Sequence, residues 1–126
     1  MGQRQIRVGE LIKRELSQLL HSRWQKESVA ITLTGVDVSP DLSRARVYYS
    51  AFGGRDNSAR AGKFLMSVRG RLRMMLGKNV VLKRTPELEF VYDRSIERGA
   101  HLMEIFGELD AEESAKGTGD AEPKSD

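Results

Sequence analysis

Residues 31–50 read ITLTGVDVSPDLSRARVYYS, and their pattern sets the architecture. Ile31 and Leu33 alternate with Thr32 and Thr34, the period of two expected of a half-buried strand. The phase slips at Gly35, after which Val36 and Val38 carry the apolar face onward. A glycine at a phase slip predicts a β-bulge. Ser39-Pro40-Asp41 supplies turn chemistry, since proline fixes φ and the serine and aspartate oxygens accept nearby backbone N–H groups. On the return strand Ala45, Val47 and Tyr49 share one face, with Arg44, Arg46, Tyr48 and Ser50 on the other. A two-stranded hairpin is not stable alone in water, so the flanking sequence must cover its apolar face.

The preceding segment suits that task. Val8, Leu11, Ile12, Leu16, Leu19, Leu20 and Trp24 recur at spacings of three and four, predicting an amphipathic helix over residues 6–24. Arg4 and Arg7 sit at its start, where the helix dipole does not favour cations; they are candidates for an external contact. After the hairpin, residues 53–58 form a loop, and Asn57 or Ser58 is expected to cap a second helix over residues 58–76. Ala61, Phe64, Leu65, Val68, Leu72, Met75 and Leu76 give this helix its core stripe. Arg60, Lys63, Arg69, Arg71, Arg73 and Lys78 are assigned to its opposite face. Gly70 interrupts the helix, which predicts a kink or a close backbone approach, and Gly77 is expected to stop it.

Residues 79–84 read as extended, and Pro86 bends the chain. Leu88, Phe90 and Tyr92 then alternate with Glu87, Glu89, Val91 and Asp93, predicting a third strand. Ser95 starts a last helix through Leu109. From Asp110 onward polar and charged residues dominate, and such a tail does not bury enough surface to repay its ordering entropy. The expected organisation is a folded domain over residues 1–109 and a disordered acidic tail over 110–126. The fold class is α+β, with helices on one face of a three-stranded mixed sheet.

Of 126 residues, 21 are Lys or Arg, 18 are Asp or Glu, and none is Cys. Disulfides and thiolate metal sites are thereby excluded. The charge is unevenly placed: residues 1–109 hold 19 basic against 12 acidic side chains, and residues 110–126 hold 2 against 6. A basic body with an acidic tail predicts a polyanion-binding surface. No apolar run approaches a membrane span and no signal-peptide block precedes the first helix, so a cytoplasmic protein is expected.

Enzymatic motifs are sparse. The two histidines, His21 and His101, show no metal-ligand spacing. Neither a P-loop nor a nucleophile elbow occurs. Glu87, Glu89 and Asp93 share a strand face and suit Mg²⁺ in principle, but they equally suit the wet face of an exposed sheet. No catalytic residue, cofactor or metal is assigned. The better signal is for RNA. No acidic residue interrupts residues 57–86, and Lys83-Arg84 extend the cationic run. Arg44 and Arg46 add two charges on the hairpin's exposed face. Phosphate contacts from such a surface give affinity without sequence selectivity. The element order is also that of KH domains, which clamp single-stranded RNA with a GxxG loop, although this chain has no two glycines three apart. A protein-interaction module, a metal-dependent nuclease and an RNA-binding translation regulator compete with that reading.

Four segments together carry a family resemblance: Arg4-Gln5-Ile6-Arg7-Val8, Val36 through Tyr48 (VDVSPDLSRARVY), Leu76-Gly77-Lys78, and Arg84 through Asp93 (RTPELEFVYD). In this order and spacing the chain resembles bacterial ribosome-binding factor A, a family of small-ribosomal-subunit maturation factors. The resemblance implies a type II KH-like fold, helix–strand–strand–helix–(kink)–helix–strand, with the reading above adding a C-terminal helix. An Ala-x-Gly kink replaces GxxG in this family, and Val68-Arg69-Gly70 occupies its place, with a β-branched residue expected to reshape the kink. The resemblance further implies a monomeric, non-enzymatic factor. Such a factor binds the free small subunit and its ribosomal RNA, assists late processing, supports growth in the cold, and works with an assembly GTPase. The RNA-binding residues expected are Lys63, Arg69, Gly70, Arg71, Arg73 and Lys78, then Arg44, Arg46, Lys83 and Arg84, then Arg4 and Arg7.

Overall fold

The computed structural model of the chain describes residues 2–95. Helix α1 spans Gln3–Arg23, and a single turn, α2, spans Gln25–Ser28. Strands β1 (Ile31–Val38) and β2 (Arg44–Ala51) follow, then helix α3 (Arg55–Asn79) and strand β3 (Glu87–Tyr92). The sheet order is β1-β2-β3, with β1 antiparallel and β3 parallel to the central β2. A parallel neighbour needs a crossover, and α3 is that crossover. Among the described residues no helix is long and apolar enough to cross a membrane.

The hairpin forms as its pattern predicts. Its register shifts between Leu33 and Gly35, so Leu33 faces Tyr49 whereas Val36 faces Val47. That bulge returns Val36 and Val38 to the core side after the phase slip. The turn is tied by Asp41, whose Oδ1 accepts hydrogen bonds from the Ser43 N–H at 3.1 Å and from the Ser43 and Ser39 hydroxyls at 2.7 and 2.8 Å. Leu42 takes a φ of 61°, a conformation that costs an L-residue of order 1–2 kcal/mol. Its side chain is buried in the core, which offsets the strain.

Both long helices lie against the sheet. Ile12, Leu16, Leu19 and Leu20 of α1, and Ala61, Leu65, Val68, Leu72 and Leu76 of α3, join Ala45, Val47 and Tyr49 in one core. Gly9 sets how close α1 sits: a Cβ there would fall 2.6 Å from the Val36 carbonyl oxygen. His21 fastens the other end of α1, its ring nitrogens lying 3.0 Å from Ser17 O, 3.1 Å from Ser28 O and 2.9 Å from Ile31 O.

The helix boundaries differ from expectation. α1 begins at Gln3 because the Gln5 side chain accepts the Gly2 N–H and donates to Val38 O, fixing the first turn to the hairpin. α3 begins three residues earlier than expected, after Gly54. Asn57 and Ser58 therefore lie inside it and bond to Phe52 O and Gly54 O instead of capping. Gly77 does not stop α3, which runs on to Asn79 and closes with the Val80 N–H on Leu76 O. The missing side chain at Gly77 makes room for Thr85, whose Oγ1 lies 2.9 Å from where a Cβ would stand. Gly70 does not divide α3 into two helices either, since glycine weakens a helix but retains its N–H donor. Residues 79–84, expected to be extended, contain the end of α3 and a bend at Lys83-Arg84. The last helix and acidic tail expected from the sequence lie outside the described residues.

Packing and turn chemistry each give a measurable outcome. Gly9→Ala lowers stability by about 1–3 kcal/mol through overpacking against a backbone carbonyl, despite a helix-propensity gain of at most about 1 kcal/mol; urea unfolding measures the difference. The Ser43 hydroxyl and N–H, then the Ser39 hydroxyl, hold the Asp41 carboxyl at about 2, below its ordinary 3.8. A carboxyl depressed by folding contributes stability that is complete above about pH 4 and fades as pH falls toward about 2. Unfolding midpoints at a series of acid pH values show that loss in the parent chain, and Asp41→Asn shows a smaller one.

Candidate nucleic-acid interface

The inner side of α3 is committed to the core, and a step of about 100° per residue decides where its cations fall. Arg60, Arg71 and Lys78 fall toward one flank, and Lys63 falls on the outward side. Arg69 and Arg73 fall toward the other flank. The single basic face expected from the sequence is therefore two flanks, separated by an outward ridge that carries Lys63, Gly70 and Met74, with Met66 on its side toward Arg73. The ridge methionines are half-exposed, and nothing lies within 4 Å of where a Cβ on Gly70 would stand.

On the first flank, the Arg71 guanidinium sits 5.8 Å from the centroid of the Trp24 ring. Trp24 in turn meets Phe64 edge-on at 6.2 Å. Arg71 is thus held over the corner between α1 and α2 by a cation–π contact. Lys78 is exposed on this flank, and Lys63 is exposed on the ridge.

The second flank borders the turn that leads into β3. Arg69, Gly70, Arg73, Arg84 and Thr85 line an open groove of about 750 Å³, together with Met66, Met74 and Glu87. Arg73 is engaged here: Nε donates to Pro86 O at 3.0 Å and Nη2 to Thr85 O at 2.8 Å, with Glu87 3.8 Å away. It clamps the chain entering β3. Arg69, Lys83 and Arg84 are exposed beside it.

The cations expected on the sheet lie elsewhere. Arg44 and Arg46 occupy the outer face, where parallel pairing sets Arg44 beside Glu87 and Arg46 beside Glu89. Arg46 Nε lies 3.4 Å from Glu89, and antiparallel pairing places Asp37 on its other side. Its hydrogen bonds to Tyr48 and then Glu89 push the Arg46 guanidinium above its ordinary range. An exposed pair like this contributes little to stability, but Glu89 and Asp37 offset the charge of Arg46 on the outer face. Glu87 and Glu89 each lie against an arginine, and among the described residues no three acidic or histidine side chains converge on a metal site. Arg4 and Arg7 lie near the start of α1, and neither lines the groove. Met66, Met74 and Thr85 were not singled out as site residues from the sequence. The spacing of Met66, Gly70 and Met74 at i, i+4 and i+8 was the available signal.

Comparison with known proteins places this geometry. The family model described as ribosome-binding factor A matches residues 4–106. The chain belongs to the ribosome-binding factor A family. It is 41% identical over 110 residues to the ribosome-binding factor A of Opitutus terrae, covering 87% of this chain and 90% of that one. The crystal structure of ribosome-binding factor A from Thermus thermophilus superposes with a TM-score of 0.64 at 26% identity, covering 72% of this chain and 98% of that one. A homology model of Thermus thermophilus ribosome-binding factor A, fitted into the cryo-EM map of a 30S–RbfA complex, gives 0.57 at 28% identity, covering 68% and 91%. The α+β arrangement described above is the KH-like fold of this family.

The split of the cations changes how they are probed. Arg73→Gln removes two charged donors to backbone carbonyls and lowers stability by roughly 1–3 kcal/mol. Arg84→Gln changes it by less than about 0.5 kcal/mol, as expected of an exposed side chain. Chemical unfolding of the two variants side by side checks the contrast.

Proposed function

We propose that this chain is a non-enzymatic assembly factor that binds the free small ribosomal subunit, with α3 as its ribosomal-RNA contact. The observation that carries this reading is the outward surface of α3. Exposed Lys63, Arg69, Lys78 and the neighbouring Arg84 surround Gly70, whose backbone is open to solvent-side approach. The Thermus thermophilus relative fitted into a 30S complex map supports the choice of partner. Phosphate contact by these cations supplies affinity, and the shape of the subunit supplies selectivity. A factor that binds one RNA conformation better than another shifts the population toward it. That is a physical sense for acting in late maturation and rRNA processing, and for mattering most in the cold. An assembly GTPase is the partner proposed for release.

Gly70→Ala tests the backbone contact without harming the fold. Open space around Gly70 means alanine adds about 0.5–1 kcal/mol of helix stability. Co-sedimentation with purified small subunits is expected to weaken about tenfold, roughly 1.4 kcal/mol. In Arg69→Gln/Arg84→Gln the salt dependence flattens, by up to about 0.9 in log–log slope per lost phosphate contact. Undiminished retention of both folded variants on the small subunit sinks the assignment.

A further inference from the structure

We infer that α3 seats in the shallow groove of a base-paired RNA helix, with the phosphates of the two strands held on its opposite flanks. The inference rests on the ribosomal-RNA reading above and specifies the form of RNA that α3 takes. Its starting point is the two-sided charge of one helix. Lys78 and Arg71 lie on the flank toward α1, where Arg71 reaches Trp24. Arg69 lies on the flank toward β3, where Arg84 lines the same groove. A single strand offers one line of phosphates and satisfies one such flank. Two lines of phosphates separated by a groove satisfy both.

The ridge between the flanks points the same way. Proteins that bind single strands without sequence preference stack bases on aromatic side chains. The one aromatic residue of α3 is Phe64, which is packed against the core and meets Trp24 edge-on. Beside exposed Lys63, the ridge instead presents Met66 and Met74, 53% and 54% exposed, on either side of Gly70. Flexible, uncharged thioethers and a bare backbone suit contact with sugars and base edges. A helix about 10–12 Å across with its side chains does not enter the deep, narrow major groove of A-form RNA, but the wide minor groove is accessible and displays 2′-hydroxyls. Charge complementarity selects nucleic acid over protein as the occupant, because no acidic residue occurs between Asp56 and Glu87.

The test uses the full chain with a mixed-sequence RNA duplex of about 16 base pairs, its two separated strands, and a DNA duplex of the same sequence. Fluorescence anisotropy across a salt series reads the affinities. The RNA duplex is expected to bind at least about tenfold tighter than either strand, and tighter than the DNA duplex, whose groove shape and sugars differ. Arg60→Gln/Lys78→Gln on one flank and Arg69→Gln/Arg84→Gln on the other are each expected to reduce the duplex salt slope, by about 1–2. Met74→Glu, with unchanged circular dichroism, is expected to cut duplex affinity about tenfold. Equal or tighter binding of the single strands, or a slope change confined to one flank, overturns the inference and leaves the small-subunit assignment standing. Failure to bind any of these RNAs, with subunit retention that survives RNase, overturns both in favour of a protein contact.

Discussion

Every element of this fold depends on covering the inner face of β2. Ala45, Val47 and Tyr49 are buried there, and among the described residues β2 is the central strand, with a partner on each side. The hairpin supplies β1 but cannot cover its own face. α1 covers the β1 side, and it reaches close packing only because position 9 has no side chain to meet Val36 O. α3 covers the other side and, as a crossover, fixes β3 as the parallel neighbour of β2. Burial of large aliphatic side chains on this scale, about 1.5–3 kcal/mol each before entropy is counted, outweighs local costs such as the positive φ of Leu42.

That packing also decides where charge is free to act. α3 gives one side to the core, so its cations are driven to the two edges of that contact and onto the outward surface. At one edge Arg71 meets Trp24, and at the other Arg73 meets the Thr85-Pro86 carbonyls. Two arginines that look equivalent to their neighbours in sequence thus help to hold the fold. Lys63, Arg69, Lys78 and Arg84 remain exposed beside them.

Much of this was legible from residue order. The hairpin, its bulge at Gly35, the faces of β2 and β3, and the core stripe of α3 follow from periods of two and of about 3.6. Close approaches were not legible, because the need for glycine at positions 9 and 77 depends on Val36 and Thr85, which contact them only in the folded chain. Helix ends were set by distant partners too: Gln5 bonds Val38 O, 33 residues away. The two cationic flanks were present in the wheel of α3, yet counting its basic residues merged them into one face. The pairing of Arg46 with Glu89 required the β2–β3 register, which no local pattern encodes.

The outer sheet face shows why that register matters for function. Were Arg44 and Arg46 unopposed, the protein would carry basic surfaces on both sides of its sheet, and a polyanion would gain comparable energy from either. Parallel pairing instead sets Glu87 beside Arg44 and Glu89 beside Arg46, and Asp37 flanks Arg46 from β1. The charge of Arg46 is thereby offset from both sides, whereas the cations of α3 meet no acidic residue in the chain between Asp56 and Glu87. Salt screening over about 8–10 Å keeps the exposed charges on opposite sides of the sheet largely independent. The alternation of Glu87, Leu88 and Glu89 therefore serves two ends: Leu88 is buried in the core, while Glu89 offsets Arg46 on the outer face and Glu87 meets Arg73 of α3.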